Sequence, residues 1–163
     1  MRLRTVAVSL AVLLLFAVPG TRLAGSDRSL EESRFEWAQQ LRRNIGRYLG
    51  HPYGYGCAGP KRFDCSGFVW RVIVESGIRI KRTGARKLFL MLPKAEEGEQ
   101  WQLGTVVFFN RLGHCGLVED TALFYHASSK LGTTCSAFEP YWHSRITGFR
   151  KIPRQYGEEL PSL

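Results

Sequence analysis

The apolar residues in the first half of the chain recur at helical spacing. Between Leu30 and Tyr48 they return every three to five positions, which predicts a helix with one buried face. Ser29 and Glu32 have the spacing of a capping box just before this run, so we expect the helix to begin there. The same reasoning predicts two further helices, one from residue 64 or 65 to residue 77 and a weaker one over residues 83–92.

A different pattern follows Gly104. Short runs of β-branched and aromatic residues are separated by Asn, Gly or Asp, which is typical of strands joined by turns. The predicted strands cover residues 105–109, 114–119, 122–127, 133–138 and 146–152. Because the helices come first and the strands follow one another directly, the fold class is α+β, with helices packed on an antiparallel β-sheet.

The N-terminus has the layout of a secretory signal peptide. Arg2 and Arg4 precede an apolar run over residues 6–18, and Pro19 and Gly20 follow it. The run is too short to span a bilayer comfortably, although an uncleaved membrane anchor is the alternative. We therefore predict a signal peptide at residues 1–25 and one exported domain at residues 26–163, in the periplasm or outside the cell, where disulfides can form.

Charge narrows the possible partners. The formal net charge is +9, and removing residues 1–25 takes away three basic residues and no acidic one, which leaves +6. Such an excess favours anionic partners: nucleic acid, anionic lipid or an anionic polymer. The basic run at residues 79–87 lacks interleaved aromatic residues, so we expect no nucleic-acid partner and interpret the run as a solvated face turned towards an anionic wall polymer.

The candidate chemistry centres on Cys65. If the second helix begins here, the positive end of the helix dipole favours a thiolate, which is the nucleophilic form of cysteine. A nucleophilic cysteine also needs a base and an orienting group. His114 and His126 lie on adjacent predicted strands that a tight turn pairs as a hairpin, so the two can lie close together. The alternative is a buried helix cysteine with two ordinary histidines.

The remaining cysteines raise two further questions. Neighbours on a strand point to opposite faces, so His114 and Cys115 cannot easily share one metal ion, and we expect no metal site. For the same reason Cys115 should point away from His114.

If Cys65 stays free, Cys57, Cys115 and Cys135 can form at most one disulfide, with three free thiols as the alternative.

Several motifs in a fixed order resemble the NlpC-type cell-wall cysteine peptidases. The stretches LGHPYGYG at residues 49–56 and FDCSGFV at residues 63–69 are similar to that family's tyrosine-containing loop and nucleophile helix. Similar strands follow at residues 103–109, 114–118, 124–128 and 147–152. The departures are Cys57, Leu103, Thr105 and Cys115, where the family motifs have glycine, proline, aspartate and valine.

The resemblance implies a papain-like fold and assigns roles by position. Cys65 would be the nucleophile, His114 the general base and His126 the residue that orients His114. Tyr53 would contribute to the oxyanion site.

Two further positions match substrate-binding residues of the family. Asp64 and Ser66 would hold the substrate's free amine and backbone. Asp64 also has the place of a helix N-cap, and this alternative stays open.

The implied function is that of a secreted cysteine peptidase without a cofactor. It would cleave an amide bond in peptidoglycan stem peptides through a thioester, as a γ-D-glutamyl-diamino acid endopeptidase. The alternatives are a papain-like amidase or acyl hydrolase with a non-wall substrate, and a catalytically silent wall-binding protein. No stable membrane span is expected after cleavage of the signal peptide, and the sequence does not specify the oligomeric state.

Overall fold

Helices fill the first half of the chain and strands the second, in a computed structural model that describes residues 24–153. The helices are α1 (Ala24–Tyr48), α2 (Cys65–Glu75), α3 (Ala85–Met91) and the short α4 (Pro140–His143). The strands are β1 (Thr105–Phe109), β2 (His114–Val118), β3 (Leu123–Ser128), β4 (Gly132–Ala137) and β5 (Ile146–Lys151). They form one antiparallel sheet in the order β4-β3-β2-β1-β5, which confirms the α+β prediction.

Helix α1 begins earlier than its capping-box spacing predicts. The helix already runs through Ser29 and Glu32, so these residues do not start it. The Glu32 carboxylate instead lies 3.4 Å from the Arg28 guanidinium one turn earlier, which is an ordinary exposed pair within a helix. The predicted signal peptide lies outside the described residues except for its last two positions, and its cleavage stays a prediction.

The sheet separates two layers of the core, as the alternation of side chains along a strand requires. On one face, Phe68 and Val72 of α2 pack with Phe108 and Leu117. On the other face is a smaller aromatic layer, made by Val107, Phe109, Val118 and Phe124 with four partly buried residues, Phe138, Trp142, Ile146 and Phe149. The short helix α4, which the sequence analysis missed, contributes Trp142 to this second layer.

The loop at residues 50–63 lies directly on the start of α2. The Asp64 amide donates a 2.8 Å hydrogen bond to the Cys57 carbonyl. A Cβ at Gly67 would lie 2.1 Å from that same carbonyl oxygen, so the close approach requires glycine. The loop therefore has a fixed place beside the first turn of α2. Within residues 24–153 no helix is both long and apolar enough to cross a membrane.

Candidate active site

Cys65 is the first residue of α2, at the position that the sequence analysis predicted. Asp64 is the N-cap, and its carboxylate accepts a 2.6 Å hydrogen bond from the Gly67 amide. The Cys65 side chain is partly buried against the core layer between α2 and the sheet. Its sulfur therefore lies where the unpaired amide groups and the dipole of the helix favour negative charge.

The structure brings His114 and His126 together beside Cys65. His114 Nε2 lies 2.9 Å from His126 Nδ1, with the two rings perpendicular, and the His114 side chain also hydrogen-bonds Cys65. Glycine between the strands makes room for this pair. A Cβ at Gly116 would lie 2.6 Å from the Tyr125 carbonyl oxygen and 3.2 Å from His126 Cβ.

A third polar residue, Ser136, extends the hydrogen-bonded pair of His114 and His126 into a row. His126 Nε2 lies 2.9 Å from Ser136 Oγ, and the His126 side chain is almost fully buried. Burial, together with the charge of His114, lowers the pKa of His126 to about 3, so His126 is neutral at ordinary pH. When His126 Nδ1 accepts from His114 Nε2–H, its Nε2–H donates to Ser136 and His114 Nδ1 is left for Cys65.

Sequence reasoning missed Ser136, although the strand register contains a signal. In the β3–β4 ladder His126 faces Thr134, so Ser136 is its diagonal neighbour on the same face of the sheet. The register had to be known to one residue before this could be read from the sequence, because a shift of one position turns Ser136 to the opposite face.

Cys115 lies on the other side of Cys65. It is fully buried on β2, and its thiol forms a hydrogen bond with the Cys65 sulfur. This bond, together with the hydrogen bond and the charge of His114, lowers the pKa of Cys65 to about 4. The hydrogen bond to Cys65 and burial raise the pKa of Cys115, which therefore stays a thiol and donates to the thiolate.

All four cysteines are free thiols, so the structure contains none of the disulfides that the sequence left possible. Cys57 lies in the loop, Cys115 faces the core and Cys135 is exposed on β4. Of the two strand cysteines, Cys115 is therefore buried in the core, whereas Cys135 faces solvent. Within the described part of the chain, no cluster of three or more His, Cys, Asp or Glu side chains has a metal-binding arrangement.

Asp64 and Ser66 are held by an arginine that the sequence analysis had placed on a solvated face. Arg82 Nη2 donates to Asp64 Oδ2 at 2.7 Å, and Arg82 Nη1 donates to Ser66 Oγ at 3.2 Å. Ser66 Oγ in turn donates to Asp64 Oδ1 at 2.9 Å. The hydrogen bond from the Gly67 amide confirms the N-cap alternative for Asp64, and substrate binding by Asp64 and Ser66 stays a prediction. Any contact of Asp64 or Ser66 with a substrate has to coexist with Arg82.

An open cleft of about 660 Å³ leads to Cys65. Tyr53 lines it, and burial together with the charges of Cys65 and Asp64 raises the pKa of the phenol, so Tyr53 keeps its proton and can donate a hydrogen bond. The opposite wall comes from residues 82–87 and from Leu112 in the β1–β2 turn.

Trp142 of the smaller aromatic layer lies against both histidines. Its ring stacks on His114 with centroids 5.4 Å apart and meets the edge of His126 at 5.1 Å. The indole covers both imidazoles on the side away from α2. His143 is exposed on α4.

Comparison with known proteins finds relatives whose names describe an endopeptidase or a glutamyl hydrolase. The chain is 29% identical over 109 residues to "Probable endopeptidase p60" of Listeria seeligeri and 30% identical over 124 residues to "Gamma-DL-glutamyl hydrolase" of Bacillus subtilis. Each alignment covers 65% of this chain but only 20% and 27% of the relative's own length.

Solved structures agree with this result. A Staphylococcus aureus protein described as similar to lipoprotein, of the NLP/P60 family, superposes with a TM-score of 0.63 at 27% identity, over 72% of this chain and 41% of that one. RipD of Mycobacterium tuberculosis, described as a non-catalytic NlpC/p60 domain protein adapted to peptidoglycan binding, shares the fold with a TM-score of 0.58 at 15% identity, over 71% of this chain and 95% of that one. Residues 50–151 match the sequence model of the NlpC/P60 family, and the chain therefore belongs to this family.

Proposed function

We propose that this protein is a cysteine peptidase that hydrolyses an amide bond in peptidoglycan stem peptides, between a γ-linked D-glutamyl residue and a diamino acid. The observation that carries the proposal is the hydrogen-bonded row of Cys65, His114 and His126 at the end of an open cleft. The names of the relatives, an endopeptidase and a γ-glutamyl hydrolase, support the choice of bond.

In the first half of the reaction the Cys65 thiolate attacks the amide carbonyl. The carbon–sulfur bond forms and the oxygen becomes an oxyanion, which the Cys65 amide and the Tyr53 phenol stabilise by hydrogen bonding. His114, protonated in its pair with the thiolate, gives its proton to the leaving nitrogen. The carbon–nitrogen bond then breaks, and the acyl group stays on Cys65 as a thioester.

In the second half water hydrolyses the thioester. Neutral His114 removes a proton from the water molecule, whose oxygen attacks the thioester carbonyl. The carbon–sulfur bond breaks, and the thiolate and the imidazolium are restored. Throughout, neutral His126 accepts from His114 Nε2–H and fixes the direction of the ring, which is the role of an orienting group rather than that of a second base.

Two other functions compete with this proposal. A papain-like amidase or acyl hydrolase with a non-wall substrate would use the same three residues, and only the substrate separates it from the peptidase. A silent wall-binding protein like RipD would need no reactive thiol. The lowered pKa of Cys65 and its contact with His114 favour an enzyme over a silent protein.

Digestion of purified peptidoglycan tests the proposal. We expect the wild-type domain to release peptides that mass spectrometry identifies as products of cleavage after the γ-linked glutamyl residue. Cys65→Ala should release none, whereas Cys135→Ala, which changes an exposed cysteine on β4, should match the wild type. Binding to peptidoglycan without release of peptides would favour the wall-binding alternative, and cleavage of other amides alone would favour the non-wall amidase.

Export is the second part of the proposal. The predicted signal peptide at residues 1–25 and the family's action on the cell wall support a site of action in the cell envelope. N-terminal sequencing of the protein recovered from each cell fraction tests it. A start between residues 21 and 26 on protein outside the cytoplasm is expected, and protein found only in the cytoplasm with an intact Met1 would contradict it.

A further inference from the structure

One wall of the cleft carries more positive charge than the carboxylate in the cleft can neutralise. Of the cleft-lining residues, Asp64 is the single carboxylate, and Arg82 already pairs with it at 2.7 Å. Arg86 and Lys87, on the first turn of α3, also line the cleft and are exposed. Among the described residues neither has a carboxylate within salt-bridge distance, and the Arg86 guanidinium makes only a long 3.5 Å contact with a backbone carbonyl.

Two unpaired cations in a concave site attract an anionic group of the ligand. The walls of a cleft reduce screening by solvent, so the attraction is stronger there than on a flat surface. Arg86 and Lys87 line the same cleft, and a carboxylate bound there can accept hydrogen bonds from a guanidinium and from an ammonium. A carboxamide of the same shape has no charge, and its NH₂ group cannot accept from either cation.

We propose that Arg86 and Lys87 form a carboxylate subsite that makes the enzyme select free acids over amidated substrates. The inference rests on the proposed function, because a γ-glutamyl amide leaves the glutamyl α-carboxylate free beside the bond to be cleaved. The diamino acid contributes a second carboxylate on the other side of that bond. Either group presents the chemistry that the subsite recognises.

Matched peptides distinguish these two sources. The substrate is a γ-D-glutamyl-diamino acid peptide in three forms: both carboxylates free, the glutamyl α-carboxylate amidated, and the diamino acid carboxylate amidated. One charge-assisted contact changes affinity about tenfold. We therefore expect the kcat/KM of the wild type to fall about tenfold, mainly through KM, for whichever amidated form removes the bound carboxylate.

The double variant Arg86→Gln/Lys87→Gln should lose this preference. Its kcat/KM on the free acid should fall about tenfold more than on the amidated peptide that the wild type disfavours. The matched control is Arg79→Gln/Lys81→Gln, which removes two exposed charges from the same segment but outside the cleft, and it should keep the wild-type preference. An unchanged rate of alkylation at Cys65 in both double variants verifies that the site is intact.

The outcomes separate the subsite from the proposed function. Equal kcat/KM for all three peptides in the wild type, or an unchanged preference in the Arg86→Gln/Lys87→Gln variant, overturns the subsite while the peptidase stands. If the wild type cleaves none of them, the proposed function fails, and calorimetric binding of the same peptides to Cys65→Ala decides the subsite. Tighter binding of the free acid that depends on Arg86 and Lys87 then supports the subsite, and equal binding overturns it.

Discussion

The Cys115 thiol donates a hydrogen bond to the Cys65 sulfur, so Cys65 interacts with two consecutive residues of β2. His114 interacts with Cys65 from one face of the strand, and Cys115 does so from the buried layer under α2. The sequence analysis expected the helix terminus to favour the thiolate. The largest single cause that lowers the pKa of Cys65 is the neighbouring Cys115 thiol, and His114 lowers it further by hydrogen bonding and by its charge.

Replacing Cys115 with valine, the residue of the family motif, should raise the pKa of Cys65. A hydrogen bond to a charged group contributes about 1.5–3 kcal/mol, which corresponds to a shift of roughly one to two pKa units. Iodoacetamide labelling of Cys65 against pH measures this. The wild-type rate should fall as pH drops through about 4, because the thiolate becomes protonated there. The midpoint in Cys115→Val should lie higher, and Cys135→Val should match the wild type. An unchanged midpoint in Cys115→Val would show that the hydrogen bond does not stabilise the thiolate.

The two histidines should differ in their importance for turnover. His114→Ala removes the proton-transferring group and should lower kcat by about 10²–10⁴-fold. His126→Ala should be milder, about tenfold, because water can replace part of an orienting group. Steady-state kinetics with peptidoglycan fragments gives both values. A larger loss in His126→Ala than in His114→Ala would exchange the two roles.

Ser136 should act through His126 rather than on the substrate. Ser136→Ala removes the acceptor for His126 Nε2–H, so we expect kcat to fall several-fold with little change in KM. Ser136→Thr keeps a hydroxyl and should restore much of kcat. Ser129→Ala, at an exposed position of the β3–β4 turn, is the control and should leave kcat unchanged. A rise in KM in Ser136→Ala without a change in kcat would place Ser136 in substrate binding instead.

Local sequence patterns were sufficient for most of the fold. Short runs of β-branched and aromatic residues between turn residues predicted all five strands, and the predicted start of α2 at residue 64 or 65 agrees with its observed start at Cys65. The start of α1 was wrong because Ser29 and Glu32 also fit the interior of a longer helix. Helix α4 was missed because four residues are too short to produce a periodic signal.

The parts of the site that the sequence did not predict depend on contacts between distant segments. Arg82 lies 18 residues from Asp64 and in a basic run, so nothing local separates it from its solvent-exposed neighbours. The contacts of Cys115 with Cys65 and of Trp142 with the histidines require the packing of α2 and α4 on opposite faces of the sheet. By contrast, Cys65, His114 and His126 carry recognisable motifs, and the structure brings these three residues together.

Removing Arg82 should weaken the start of α2. Arg82→Ala leaves the mostly buried Asp64 carboxylate without its cation, and because the Arg82 side chain is still 27% exposed we expect a loss of about 1–2 kcal/mol in the free energy of unfolding. Urea denaturation measures it. Arg79→Ala, at an exposed position three residues earlier, is the control and should change stability by less than about 0.5 kcal/mol. Equal stability of Arg82→Ala and the wild type would mean that solvent replaces the pair without cost.

The central claim is that Cys65 is the thiolate nucleophile, and limiting alkylation at pH 5.5 tests it most directly. At this pH the Cys65 sulfur is ionised. Cys135 is more exposed than Cys65 but remains a thiol, because its remaining burial and the neighbouring acidic groups raise its pKa. With less than one equivalent of iodoacetamide, peptide mapping should find the label on Cys65, and hydrolysis of peptidoglycan should fall in proportion to the labelled fraction. Label mainly on Cys135, or full activity with Cys65 labelled, would contradict the account.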